Sequence, residues 1–217
     1  MTKKDRAAKI YGVLRREYKD ACCTLLFDSP QQFLFANILS AQCTDDVASR
    51  VSIALMKKFG GAEGIAKASL SSISEVIRPA GFYNVKSRYI KKTAKLLVDE
   101  FNGELPNNLD DLKKFSGIAR KTGLVILGEV FNKVEGIVID THNIRLAKRL
   151  GLTKHESAEK IEKDLMKLLP RTKWRMWSHL MVFHGRKICI ARSPKCQECL
   201  ICEYCDFGCI NNKCLTS

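Results

Sequence analysis

The stretch Phe115-Ser116-Gly117-Ile118-Ala119-Arg120-Lys121-Thr122-Gly123 decides how this chain is read. A short helical pattern, Asn108 to Phe115, leads into it, and an apolar helix, Arg120 to Phe131, leads out. Between them lies a tight turn built on Gly117. Backbone N–H groups at such a turn, beside a helix N-terminus, can cradle a phosphate. Taken alone the pattern is weak, because glycine turns join many helix pairs, and a lysine on a first helical turn is ordinarily solvated surface. The electrostatics give Lys121 a second reading. A helix N-terminus and the adjacent Arg120 both disfavour the ammonium form. With partial desolvation as well, more free amine is expected, and a neutral amine is the nucleophile of Schiff-base chemistry.

Outward from the turn, helix punctuation dominates. Ser29-Pro30-Gln31-Gln32 reads as an N-cap with proline at the first helical position. Thr44 or Asp45 caps a second helix that stops at Gly60-Gly61. A short helix is expected to begin at Ser72-x-x-Glu75 and to be interrupted by Pro79 and Gly81. Asn84 to Phe101 carries apolar residues on one broad face and closes at Asn102-Gly103. Beyond the hairpin, helices are expected from Thr141 to Leu150, from a capping box at Thr153-x-x-Glu156 to Leu169, and from Trp174 to His184. No sustained apolar/polar alternation occurs, so the predicted fold is all-α.

The composition narrows the function. In 217 residues, 46% are hydrophobic and 28% charged, as in ordinary soluble domains. The apolar runs fall far short of the ~20 residues a spanning helix needs. Met1 to Asp20 holds seven basic and three acidic residues and no apolar core of a secretory signal, so an intracellular location is expected, cytoplasmic and nucleoid-associated if prokaryotic. Thirty-seven lysines and arginines against 23 acidic residues give a net charge of +14. Such a basic protein usually meets a polyanion. Arg171 to Lys195 carries seven basic residues and no acidic one, and Arg78 to Lys95 carries six and none.

Ten cysteines are present, and seven fall between Cys189 and Cys214. A disulfide framework belongs to small exported domains, so this clustering points instead to metal. Cys189-x6-Cys196-x2-Cys199-x5-Cys205 offers four thiolates on one short loop, which suits an iron–sulfur cluster or zinc. Zinc ribbons usually present two Cys-x-x-Cys knuckles, whereas here one pair is flanked by unequal arms. Cys202 could compete as a ligand, and Cys209 and Cys214 are spares. Cys22, Cys23 and Cys43 read as small core residues. Twenty residues past the hairpin, Val138-Ile139-Asp140-Thr141-His142 puts Asp140 at the start of a helix. It reads either as an N-cap or as a carboxylate facing a cationic transition state.

The hairpin with Lys121, the Val-Ile-Asp-Thr-His segment, His184-Gly185-Arg186 and the cysteine loop occur in that order. Together they resemble endonuclease III, the bifunctional DNA glycosylase/lyases of the helix–hairpin–helix superfamily. Ser40-Ala41-Gln42-Cys43-Thr44-Asp45 and Gly81-Phe82-Tyr83-Asn84-x-Lys86 match further segments, so the likeness runs from about Ser29 to Cys205. The resemblance implies two helical lobes with damaged double-stranded DNA in the cleft between them, bound by a monomer. One lobe, a six-helix barrel, would span about residues 21–135. The other would combine residues 1–20 with 136–217 around a [4Fe–4S] cluster held by Cys189, Cys196, Cys199 and Cys205.

On the same resemblance, Lys121 attacks C1′ of the damaged nucleotide, and β-elimination then cuts the strand. Asp140 assists departure of the base. Gln42 fills the hole left by the flipped nucleotide, and Phe82, where the family usually has leucine, wedges against the orphaned base. Further DNA contacts are implied for Asp45, Tyr83, Asn84 and Lys86, for Gly117, Ala119, Arg120 and Thr122 at the hairpin, and for His142 and Arg145. The implied substrates are oxidised pyrimidines and abasic sites. Departures from the family lie in the hairpin. Ser116 replaces a proline, Ala119 a glycine and Gly123 an alanine, which puts hairpin affinity in question more than chemistry. Three alternatives fit less well. A monofunctional adenine-mismatch glycosylase typically lacks the hairpin lysine, a redox-reporting DNA-binding module leaves Lys121 with Asp140 unexplained, and an electron carrier needs no such charge.

Overall fold

Helix caps set the element boundaries. In a computed structural model, residues 1–210 are described, without the side chains of Cys209 and Ile210. The expectation for Cys209 and Cys214 as spare thiols therefore lies outside the described residues. The described chain is helical, with no strand among those residues. It divides into two compact units, residues 1–22 with 134–217, and residues 23–133.

The first unit opens with α1 (Lys3–Glu17), which residue patterning did not mark. Thr2 caps it in a full capping box with Asp5. The second unit holds α2 (Pro30–Leu39), α3 (Asp45–Phe59), α4 (Ala62–Lys67), α5 (Leu70–Ile77), α6 (Tyr83–Phe101), α7 (Leu109–Leu112) and α8 (Arg120–Phe131). Ser29 caps α2 and Thr44 caps α3, each accepting a backbone N–H. Gly60 stops α3 in the left-handed region. The expected start at Ser72 is corrected. Ser69 caps α5, three residues earlier, by accepting from the Ser72 N–H, and Glu75 pairs instead with Lys58 at 3.1 Å. Helix α6 packs on α4 and α5, and α2 packs on α3. Phe33, Phe35, Leu39, Leu55, Ile65, Ile73, Ile90 and Leu97 are fully removed from water there or nearly so. Each such side chain stabilises the fold by roughly 1.5–3 kcal/mol.

The first unit resumes with α9 (Thr141–Arg149), α10 (Ala158–Leu168), α11 (Trp174–Lys187) and α12 (Asp206–Ile210). Its core joins Ile10 and Leu14 of α1 to Leu146, Ile161, Leu165, Trp177 and Leu180. Trp177 is a packing anchor, fully buried. A second correction falls at α10. Thr153 does not cap it; its hydroxyl donates to Asp164 at 2.6 Å, Glu156 pairs with Lys148, and the helix begins after Ser157. Cys22 is exposed and Cys23 and Cys43 are half-buried, so none of the three is a core residue. No helix of the described residues is long and apolar enough to cross a membrane.

Candidate active site and thiol centre

The hairpin is built from two buried anchors around one exposed turn. Phe115 and Ile118 are 2% and 5% exposed, and the Ile118 N–H donates back to the Phe115 carbonyl at 3.1 Å. Gly117 lies between them at φ 85°. That positive φ favours glycine, and a Cβ there would also come within 3.2 Å of the Tyr89 ring, which would have to give slightly. Gly117→Ala is expected to cost about 1–2 kcal/mol, seen as a lower thermal midpoint; an unchanged midpoint would mean that the turn is not held as described.

Ala119 is extended, φ −92° and ψ 175°, so no glycine is needed for its conformation. A Cβ at Gly123 would stand 2.6 Å from Leu109 Cδ1, the far end of a flexible side chain that can give way. Ser116 offers its carbonyl to the Thr93 hydroxyl at 3.3 Å.

Helix α8 starts with no side-chain cap. Its first N–H groups thus lack the intramolecular acceptor that a capping side chain provides, which suits a phosphate oxygen. Lys121, one residue into that turn, is exposed and makes no hydrogen bond or ion pair among the described residues. The partial desolvation expected for it is therefore not supplied by the free chain. Arg120, Gly117 and Ala119 are exposed beside it, and Thr122 is half-buried.

In the other unit, Asp140 is the N-cap of α9. Its Oδ1 accepts from the Asn143 N–H at 2.8 Å and from Asn143 Nδ2 at 3.0 Å. Oδ2 makes no hydrogen bond among the described residues. The cap reading is thus correct, and it leaves half of the carboxylate available. His142 follows on the same turn. Burial, foremost, and Arg145 and Arg186 hold its imidazole below the usual histidine range, while Asp140 opposes them. Arg145 is committed inside the unit. Its guanidinium donates to the Gly185 carbonyl at 3.1 Å and to the Cys189 carbonyl at 3.0 and 3.2 Å, and meets His142 Nδ1 at 3.1 Å. It thereby pins the cysteine loop to α9.

The remaining expected contacts lie in the second unit, just before and at the starts of α3 and α6. Gln42 and Phe82 are exposed, and both have left-handed backbones, at φ 53° and 48°. Tyr83 is half-buried under the Arg78 guanidinium, 5.5 Å from its ring centre, and Asn84 is exposed. Asp45 accepts from the Thr24 hydroxyl. Lys86 departs from expectation: it is 4% exposed and donates to two carbonyls of its own unit. Lys91 likewise donates to the Ala68 carbonyl at 2.6 Å. Two of the six basic residues in that one-signed segment are therefore spent internally, while Arg88, Lys92 and Lys95 remain exposed.

The cysteine loop is folded around one small pocket. Cys189, Cys196, Cys199, Cys202 and Cys205 line it together with Arg149, His184 and Ile201. Arg149 clamps the loop, donating to the Ile190 and Ala191 carbonyls at 3.0 and 2.7 Å and to Cys189 Sγ at 3.2 Å. Phe207 covers its guanidinium at 4.6 Å. His184 is buried, with Nδ1 3.1 Å from the Tyr18 hydroxyl and Nε2 3.5 Å from Cys199 Sγ. Burial pushes its pKa down to about 4, so the ring is neutral.

Among the described residues no group of His, Cys, Asp and Glu side chains is arranged to hold a single metal ion. The donor set nevertheless fits a larger soft centre. Burial drives the Cys199 thiol up to about 12, with Cys205, Cys189 and Cys196 near enough to add to the shift. Crowded thiols of this kind ionise when a cationic centre shares their charge. Cys202 lines the same pocket and is 8% exposed.

This helical frame, its uncapped hairpin and its sulfur-lined loop define a class. Residues 35–171 match the HhH-GPD superfamily base excision DNA repair proteins, and the chain is a DNA glycosylase of base-excision repair. Endonuclease III of Synechocystis sp. is 40% identical over 94% of this chain and 93% of its own. A solved non-covalent endonuclease III–DNA complex superposes with a TM-score of 0.91 at 34% identity, covering 98% of this chain and all of that one. A second structure, a trapped endonuclease III–DNA covalent intermediate with an estranged adenine, gives 0.90 at 35% identity with the same coverage. The chain belongs to the endonuclease III family.

Proposed function

We propose that this chain removes oxidised pyrimidines from duplex DNA and then cuts the strand at the resulting abasic site. The observation that carries the reading is Lys121, an exposed amine without a partner among the described residues, on the first turn of an uncapped helix in the hairpin. Phosphates flanking the lesion are held by the turn and by basic surface, without sequence readout. The damaged nucleotide is rotated out of the stack, at a cost of a few kcal/mol that is lowest for poorly paired bases. Gln42 and Phe82 occupy the space it leaves, and Asn84, Tyr83 and Arg120 line the contact.

The chemistry proposed is as follows. The Lys121 nitrogen bonds to C1′ as the C1′–N bond to the base breaks, and the base leaves carrying a proton. Asp140 stabilises the positive charge that develops on the sugar. The nitrogen then loses its protons as the sugar ring opens to an imine. Loss of a C2′ proton breaks the C3′–O bond and cuts the strand. A solved trapped covalent endonuclease III–DNA intermediate, of a 35% identical relative, supports a covalent step. The test is a duplex carrying one oxidised pyrimidine beside an otherwise identical undamaged duplex. Nicking of the damaged strand alone is expected; equal treatment of both would contradict the reading.

Cys189, Cys196, Cys199 and Cys205 are proposed to hold a [4Fe–4S] cluster, which would tie together a loop that has little apolar core. Arg186, Lys187, Arg192 and Lys195 would then form a shaped basic surface for DNA. Cys199→Ala is expected to lose the cluster's iron and yellow-brown colour, and Cys202→Ala to keep both. Equal iron content in the two variants would overturn the ligand assignment.

A further inference from the structure

Among the described residues, four other than glycine have left-handed backbones: Gln42, Phe82, Asn102 and Asn132. The two asparagines are helix C-caps, where that conformation is ordinary. Gln42 and Phe82 have no such excuse. Both are exposed, so no packing of their own side chains accounts for the strained backbone. What holds the loops lies underneath. Lys86, on the first turn of α6 and 4% exposed, donates from Nζ to the Leu39 carbonyl and to the Ala80 carbonyl, each at 2.8 Å. Leu39 ends α2 three residues before Gln42, and Ala80 ends a 3-10 turn two residues before Phe82. One ammonium thus ties together the two chain ends from which both strained loops spring. Burial lowers the Lys86 pKa, and nearby Cys43, next to Gln42, partly opposes this. A buried cation is retained only where its hydrogen bonds are worth keeping.

We propose that Lys86 is a positioning residue that sets Gln42 and Phe82 at a fixed separation, so that they enter the base stack as one two-pronged wedge. The inference rests on the function proposed above, since it assigns the wedge to the flipping step. A wedge is needed only where a base pair must be opened. On a single-stranded abasic oligonucleotide there is no orphaned partner base and nothing to hold apart.

Strand cleavage by Lys86→Met, which keeps the length but removes the donors, is compared on duplex and single-stranded abasic substrates. The duplex rate is expected to fall at least ~10-fold more than the single-strand rate. A variant merely damaged in folding would lose both alike, and an unchanged ratio overturns the inference. Should Lys86→Met yield no folded protein, Lys86→Gln, which can still reach one carbonyl, is judged by the same ratio. Wild-type protein that cleaves neither substrate would refute the proposed function itself and this inference with it.

Discussion

Lys121→Ala is expected to abolish covalent trapping on abasic DNA in the presence of borohydride. Reduction freezes an imine, and without an amine at this position no imine forms. The loss should be at least ~10³-fold, because the residue is the nucleophile and not an aid to one. Its exposure limits side effects. A surface lysine with no partner among the described residues is expected to leave stability within ~0.5 kcal/mol. Duplex binding should persist, with the salt dependence reduced by about one phosphate contact at most. Trapping that survives at wild-type level would move the chemistry to another nitrogen.

The second large effect is expected at Asp140, where two roles overlap and can be separated. Its Oδ1 caps α9 through the Asn143 N–H. Asparagine caps a helix about as well as aspartate, so Asp140→Asn should keep most of the fold's stability, losing no more than ~1 kcal/mol from the missing charge at the helix N-terminus. Base release should nevertheless fall ~10²–10³-fold, the range for removing one preorganised electrostatic partner of a transition state. Asp140→Ala should lose the cap as well, at ~1 kcal/mol. If Asp140→Asn releases base at the wild-type rate, Asp140 is a cap and nothing more.

Much of the fold was legible because helix stops are chemical. Gly60, Asn102 and Gly151 each end or follow a helix in the left-handed region, where their residue types are favoured. The helix Arg120–Phe131 follows its apolar pattern from end to end. Helix starts misled where several hydroxyls compete. The Ser71 and Ser72 hydroxyls both lie within hydrogen-bond distance of the Ser69 hydroxyl, and it is Ser69 that caps the helix. Thr153 resembled a capping residue but bonds Asp164, a partner eleven residues away.

At the site, the hairpin and Asp140 announce themselves by residue type and spacing. The division of labour among the cations does not. Lys86 and Lys91 are indistinguishable in sequence from Arg88 and Lys92, yet the first two donate to buried or half-buried carbonyls and the others face water. Arg145, expected as a DNA contact, also spends its guanidinium on the Cys189 and Gly185 carbonyls, which its sequence position does not reveal. Periodicity marks which face a residue occupies, but long flexible side chains then choose partners that only the assembled unit supplies.

Peptide mapping of the borohydride-reduced adduct addresses the nucleophile directly. Wild-type protein is trapped on an abasic duplex, digested, and the DNA-derived mass located by fragmentation. A single modified residue, Lys121, is expected. An adduct on any other lysine or on the terminal amine, with Lys121 unmodified, would show that the hairpin holds the DNA but does not perform the chemistry.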